Sequence, residues 1–315
     1  MYLDKREMKP DITFIIPMKN TENYIGKCLQ SILSVNYDKN KIEIIVIDNN
    51  SSDKSVEIAC KYPVEIKKCP LNTIGKVRNF GANMANGSIF AFIDSDCAIY
   101  NDWIKNAIEI LRNPRIAVVG NNYELPNDPN WIERAWLYEN KSEYREVTFV
   151  PGGNFAIKSD VFREVGGFDE ALVTCEDADI CERVGKKGYL AIKTSKMKSI
   201  HMRNPQNIKE FINKEIWYGI DMLSSVKNKQ FDKVLIVTMF FYVSHLSLLI
   251  GILSSKYIAM CSFIVILLLI NMSIIYRIYY SKKYIEYFRI GLLYYSYFMA
   301  RGIGLIKGIL NLNNI

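Results

Sequence analysis

Histidine is nearly absent from this chain of 315 residues, which contains only His201 and His245. The seven cysteines (Cys28, Cys60, Cys69, Cys97, Cys175, Cys181 and Cys261) are odd in number, far apart and free of any C-x-x-C pair. That argues against a zinc site and a disulfide framework, and for free thiols in a reducing compartment. No G-x-G-x-x-G follows the first apolar run and no G-x-x-x-x-G-K-[ST] occurs anywhere. A dinucleotide oxidoreductase and a P-loop enzyme therefore lose their main support. No period of about 20 to 50 residues recurs, which excludes a repeat architecture. The 40 Lys and Arg against 33 Asp and Glu give +7, but the excess is scattered and forms no basic arm. Such a balance disfavours nucleic acid as a partner and suits a membrane surface or an anionic substrate. The charged start, 1–11, leads into an apolar run of only 12–16, too short for a signal-peptide core, so the front of the chain is expected not to be exported.

What is present is a folded chain, half apolar and 23% charged, of a length that makes about two domains. Residues 234–253 and 257–276 contain no Asp, Glu, Lys or Arg, and each is long enough to cross a bilayer, which takes about 20 helical residues. Ser254-Ser255-Lys256 allows only a tight hairpin between them, so both outer ends face one side. Lys227, Lys229 and Lys233 before the pair, and Arg277, Lys282 and Lys283 after it, outweigh the lone Lys256 at the tip. Positive flanks stay inside, which predicts an integral membrane protein with its large N-terminal part in the cytoplasm. A third apolar stretch, within 287–310, either spans with Arg301 facing protein or lipid phosphate, or lies in the interface with its tyrosines at headgroup depth. Spanning is the reading taken. His245, inside the first span, is either a functional group or a neutral imidazole bonded to a neighbouring helix.

The first 230 residues alternate short apolar runs (12–17, 42–48, 64–67, 89–93) with helical spacing (24–33, 75–84). Continuous apolar strands separated by helices predict an α/β fold, a parallel sheet covered on both faces, with ligands at the carboxyl ends of the strands. The carboxylates fall there: Asp48 after the second strand, Asp94 and Asp96 after the fourth. Asp94-Ser95-Asp96 can reach around one hard cation, Mg2+ or Mn2+, shared with substrate phosphates. D-x-D is common in surface turns. At the end of a buried strand, however, two unpaired carboxylates are expensive without a counter-ion.

Farther on, Pro151-Gly152-Gly153-Asn154 offers backbone that a ligand can approach closely. Glu176, Asp177 and Asp179 crowd the first turn of a helix, where acids complement the dipole; a base held there stays ionised at neutral pH, as general-base work on a hydroxyl requires. His201 ends a short strand, and a solitary His at such a place is more often a satisfied structural group than a ligand.

Six segments in order resemble the family 2 glycosyltransferases, membrane-anchored branch, with the GT-A (Rossmann-like, nucleotide-diphospho-sugar transferase) fold. They are Ile15-Ile16-Pro17-Met18-Lys19-Asn20; Val46-Ile47-Asp48-Asn49-Asn50-Ser51-Ser52-Asp53; Lys76-Val77-Arg78-Asn79-Phe80-Gly81; Phe92-Ile93-Asp94-Ser95-Asp96; Gly152-Gly153-Asn154-Phe155-Ala156 with Gly166-Gly167-Phe168-Asp169-Glu170; and Glu176-Asp177-Ala178-Asp179. The similarity covers about 11–218. It implies that Pro17 and Asn20 line a nucleotide pocket, Asp48 accepts from the base edge, Arg78 helps hold the nucleotide, and Asp94 contacts ribose or sugar. Asp96 and His201 would hold Mg2+ or Mn2+, and Asp177 would be the catalytic base. Gly153, Asn154 and Glu176 complete the expected substrate-binding set. Asp48-Asn49-Asn50 stands where many members have two acids and Gly, so the nucleotide base is left open.

The implied reaction is inverting, metal-dependent transfer from a nucleotide-sugar donor to a lipid-linked or cell-surface glycan acceptor. Between the catalytic domain (1–205) and the membrane domain (234–315), residues 206–233 read as an amphipathic helix and linker. That helix either lies on membrane lipids and presents Trp217 to the acceptor, or packs on the catalytic domain. Similar processive synthases carry Q-x-x-R-W, which is absent here, so a single transfer is expected. A sugar nucleotidyltransferase and a catalytically silent nucleotide-binding scaffold are the alternatives.

Overall fold

The computed structural model describes residues 9–137, 144–220, 222, 233–281 and 286–312. In chain order the elements are β1 (Ile12–Met18), α1 (Ile25–Leu33), β2 (Ile42–Asp48), α2 (Ser55–Ala59), β3 (Glu65–Lys68), α3 (Ile74–Met84), β4 (Ile89–Ile93), β5 (Cys97–Ile99), α4 (Trp103–Leu111), β6 (Ile116–Gly120), α5 (Trp131–Trp136), β7 (Arg145–Val147), β8 (Asn154–Lys158), α6 (Ser159–Glu164), α7 (Glu176–Lys186), β9 (Leu190–Lys193), β10 (Ser199–His201) and α8 (Ile208–Gly219). Three long helices follow: α9 (Lys233–Ser254), α10 (Lys256–Ser281) and α11 (Tyr287–Leu312). They fall into two compact units, Met1–Pro126 with Glu139–Arg203, and Asn127–Tyr138 with Asn204–Ile315.

The first unit is built on an eight-stranded sheet in the order β3-β2-β1-β4-β8-β6-β9-β7. Alternate side chains of each central strand feed opposite faces, as the pleat requires. Ile12, Phe14 and Ile16 of β1 and Ile89, Ala91 and Ile93 of β4 pack under α1 and α4. Ile15, Phe90 and Phe92 pack on the other face with residues of α3, α6 and α7. Burial on both sides is what the uninterrupted apolar runs predict.

The sheet is mixed, which corrects the all-parallel expectation. Strands β3, β2, β1 and β4 are parallel, but β8 runs antiparallel between β4 and β6, and edge strand β7 is antiparallel to β9. An apolar run carries no information on pairing direction. The reversal matters, because β8 begins where β4 ends, with Asn154 opposite Ile93. The Gly152-Gly153 turn is thereby delivered to the same sheet end as Asp94.

In the second unit, α9 and α10 contain two segments long and apolar enough to cross a membrane, Lys233–Ser254 and Lys256–Ile278. Gly251 lies so close to the Ala259 backbone that a side chain would collide, which permits the tight hairpin. The flanking Lys227, Lys229, Lys282 and Lys283 lie outside the described residues. The stretch expected to span at 287–310 is one continuous helix, α11, less apolar than the other two. Its Arg301 faces protein, donating from Nε to Glu215 Oε2 of α8 at 2.9 Å. Burial pushes the Glu215 carboxyl up, and Arg301 opposes that rise.

The buried stripe of α8, Phe211, Glu215 and Gly219, therefore packs on α11. Gly219 and Gly304 let the two backbones approach closely. His245 has a local account too: its Nδ1 meets the Phe241 carbonyl at 2.8 Å and its Nε2 the Tyr295 hydroxyl at 3.4 Å.

Candidate active site

Strand β1 ends at Met18 and β2 at Asp48, side by side in register. Pro17 is buried within β1, whereas Asn20 is exposed beyond its end. Asn20 adopts φ 52° and Asn50 φ 59°, left-handed positions that Asn tolerates better than most residues. The Asn20 side chain accepts from Ser52 N at 2.8 Å, and Asp48 Oδ1 accepts from Ser51 N at 3.0 Å. Two loops separated by about thirty residues of chain are thus laced together at the mouth expected to hold the nucleotide.

Asp94 follows the last residue of strand β4. Its Oδ1 accepts from Arg78 Nη2 at 2.8 Å, and Arg78 Nη1 donates to Glu176. The guanidinium is 3% exposed and also lies 5.5 Å from the Phe168 ring centre. Arg78, expected to help hold the nucleotide, is placed as a buried tie between the D-x-D segment and the start of α7. Removing one partner of a buried ion pair costs about 3–5 kcal/mol. Arg78→Met should therefore destabilise the protein by about that amount, read as a lower denaturant midpoint; an unchanged midpoint would show that the two carboxylates do not need it.

Gly152 and Gly153 close over this tie. A Cβ on Gly152 would lie 2.6 Å from Arg78 Nη1, and one on Gly153 would strike the Asp94 carboxylate and stand 2.5 Å from the Tyr123 hydroxyl. Only glycine leaves that space. Asn154, expected to touch substrate, is fully enclosed. Its Oδ1 accepts from Trp103 Nε1 at 2.7 Å, and its Nδ2 donates to the Asn121 and Met197 carbonyls at 3.1 and 2.9 Å. That side chain braces the start of α4 and the segments after β6 and β9.

The acids opening α7 have separate partners. Glu176 takes Arg78, and Asp179 accepts from Arg183 Nε at 2.9 Å. Asp177 Oδ2 accepts from Gly152 N at 2.8 Å and its Oδ1 from Ala178 N at 2.9 Å. The turn before them is strained, with Cys175 at φ 62°, a non-glycine conformation costing on the order of 1–3 kcal/mol and concentrated at functional sites. Burial first, and the neighbouring Glu176 charge second, push the Asp177 carboxyl up to about 7, against the pull of Gly152, Arg78 and Ala178. Placement at a helix start predicts a carboxylate ionised at neutral pH; with a pKa of about 7 it is half protonated there, because desolvation outweighs the amides.

On the other side of Asp94, Asp96 Oδ1 lies 3.5 Å from His201 Nε2, and Met202 N donates to the Asp96 carbonyl at 2.8 Å. Ligand atoms of Asp94, Asp96, Cys97 and His201 all lie within 4.8 Å of one another. Two carboxylates with an imidazole make a donor set that fits Mn2+ or Mg2+. The structure therefore joins Arg78, Glu176 and Asp177 to Asp96 and His201 through Asp94. Trp217, the remaining expected site residue, is on α8 of the second unit, 41% exposed.

Sequence reasoning missed Tyr123, whose ring meets His201 edge-on at 5.0 Å, and Lys193. The Lys193 ammonium is buried, donates to Asn122 Oδ1 at 2.9 Å and sits 4.6 Å from the Phe149 ring centre. Burial, and then Arg145, lower it to about 8. A lysine closing an otherwise apolar strand gives no sequence signal of its burial.

Residues 13–166 match the family model described as Glycosyl transferase family 2. Among curated relatives, the chain is 28% identical over 191 residues to Glycosyltransferase AglE of Haloferax volcanii, covering 57% of this chain and 63% of that one. It is 24% identical over 205 residues to Probable glycosyltransferase YdaM of Bacillus subtilis, covering 57% and 48%. The chain thus spans less than two thirds of the length of these relatives. In fold it resembles the mannosyltransferase PcManGT from Pyrobaculum calidifontis, solved with GDP-Man and Mn2+ (TM-score 0.63, 15% identity, 96% of this chain and 88% of that one). It also resembles S. aureus TarS 1-349 solved with UDP-GlcNAc (TM-score 0.51, 19% identity, 68% and 66%). With its mixed sheet and the D-x-D turn at the end of β4, the chain has the GT-A fold, and over residues 13–166 it is similar to glycosyl transferase family 2.

Proposed function

We propose that this protein is an inverting glycosyltransferase that moves one sugar from a nucleotide-diphosphate donor to a hydroxyl of a lipid-linked or cell-surface glycan precursor. The observation that carries the reading is the single buried guanidinium of Arg78. It ties Asp94, at the edge of the ligand cluster, to Glu176, the neighbour of the base Asp177. The complexes of PcManGT with GDP-Man and of TarS with UDP-GlcNAc support a nucleotide sugar as donor.

In this mechanism the loops of Asn20 and Asp48 seat the nucleotide. Asp94, Asp96 and His201 would hold a divalent cation, Mg2+ or Mn2+, which would supply positive charge to the departing diphosphate. The Asp177 carboxylate, oriented by Gly152 N–H, takes the proton from the acceptor hydroxyl. The hydroxyl oxygen then bonds to the anomeric carbon as the bond to the nucleoside diphosphate breaks on the opposite side. We read α9 and α10 as the membrane anchor, with Lys233 and Arg277 at their positive, cytosolic ends; the catalytic domain is then cytosolic.

The test is a panel of nucleotide sugars offered to the purified full chain with and without divalent cation. Release of nucleoside diphosphate only with the cation supports transfer. Release of pyrophosphate assigns a nucleotidyltransferase instead, and binding without turnover assigns a silent scaffold.

A pH profile follows from Asp177. The base works as carboxylate, which is present above its pKa of about 7 and lost below it. The kcat/KM value should hold level above pH 7 and fall about tenfold per unit beneath it. An acid limb centred near pH 4 would contradict the burial account.

A further inference from the structure

Cys97 faces the same way as His201. The two are directly opposed in the antiparallel ribbon of β10 and β5, and opposed residues of such a pair place their side chains on one face with Cβ atoms about 4.5–5.5 Å apart. The Cys97 sulfur is 4.0 Å from Asp96 Oδ1 and lies, with ligand atoms of Asp94, Asp96 and His201, in a group spanning at most 4.8 Å. Oxygen, nitrogen and sulfur ligands stand about 2.0–2.3 Å from a tetrahedral ion, so modest side-chain shifts would close this group around one centre. The competing account is packing, since Cys97 is fully buried beside Ile99 and Trp103 in the core. Packing alone does not call for a sulfur within reach of three other ligand atoms.

We propose that Cys97 is a further ligand of this centre, so that the site read above as taking Mg2+ or Mn2+ also binds thiophilic divalent ions such as Zn2+, Co2+ or Cd2+, through one sulfur, one imidazole nitrogen and carboxylate oxygen. On binding, the S–H bond breaks, its proton passes to solvent, and a sulfur–metal bond forms without change of oxidation state. A mixed sulfur, nitrogen and oxygen set ranks ions differently from an all-oxygen one, because thiolate and imidazole favour Zn2+ and Co2+ whereas Mg2+ seeks hard oxygen. Zinc therefore outcompetes Mg2+ for this site.

The inference rests on the metal-dependent transfer proposed above, and its test is read on the metal rather than on turnover. The full chain, with Cys60, Cys69, Cys175 and Cys261 replaced by Ser, is loaded in detergent with one equivalent of Zn2+ and measured by X-ray absorption. One sulfur neighbour at about 2.3 Å is expected; a shell of nitrogen and oxygen alone overturns the proposal. With Co2+, a thiolate-to-metal charge-transfer band should appear, vanish in Cys97→Ser while cobalt stays bound, and survive in Cys28→Ser. A band that persists in Cys97→Ser also overturns it. Zinc affinity in Cys97→Ser should fall about 100-fold, the upper end of the range for disturbing a metal's supporting residues. If Cys97→Ser does not fold, the zinc shell of the parent decides alone. Full transfer activity in EDTA would remove the metal-dependent reading itself, whereas cation-dependent transfer with a sulfur-free zinc shell would remove only the role of Cys97.

Discussion

Asp177→Asn is expected to lower kcat by about 10³-fold, within the 10²- to 10⁴-fold range of a positioned general base. The amide is nearly the same size, and its oxygen can still accept from Gly152 N. What it cannot do is take a proton. Arg78, Glu176 and Asp94 keep their ties, so the dissociation constant of the donor should stay within a few-fold, measured by calorimetry beside turnover. The same variant carries a second, opposite signature. The carboxyl rises from 3.8 to about 7 in the folded protein, so the native state holds that proton more tightly than the unfolded chain does. The resulting stability is complete below pH 4 and is lost as pH climbs through 7. Asparagine imitates the protonated form, so Asp177→Asn should be more stable than the parent at pH 8 while being far less active. Retained turnover would remove Asp177 as the base; reduced stability at pH 8 would contradict the cost assigned to its ionised form.

Asp96→Ala should be at least as damaging, about 10³-fold in kcat/KM, because it strips a carboxylate from the ligand cluster and with it charge stabilisation of the leaving diphosphate. His201 would lose the partner 3.5 Å from its Nε2, and the Asp94 carboxylate is already tied to Arg78. Mn2+ affinity, followed by calorimetry, should fall in parallel. Chelation of the parent should mimic the substitution and re-addition of Mn2+ reverse it. Asp96→Ala enzyme that retains parental turnover would end the role of the cluster in the reaction.

The contrast between these two acids shows what a linear reading can see. Asp96 announces itself, because an acid pair at the end of the run 89–93 stands where parallel strands place their ligands. Asp177 is visible as an acid at a helix start, but its proton affinity is not. That depends on desolvation and on Glu176 as well as on a Gly152 amide twenty-five residues away in sequence. Arg78 illustrates the same limit: ninety-eight residues separate it from Glu176, and nothing in Lys76-Val77-Arg78 distinguishes a nucleotide contact from a buried tie. Asn154 was legible as part of a Gly-Gly-Asn turn, yet only its three enclosed hydrogen bonds reveal that it braces α4 and the segments after β6 and β9.

The amino-acid order alone determined the strands β1, β2 and β4, the helices α1 and α3 and the two charge-free stretches after residue 233. Each is a local pattern of apolar side chains whose period is dictated by backbone geometry. Tertiary structure alone decided the antiparallel entry of β8, the Arg78 tie, the facing of Cys97 and His201 and the raised pKa of Asp177. Those properties come from strand direction, register and exclusion of water, which arise only when residues remote along the chain are brought within a few ångströms.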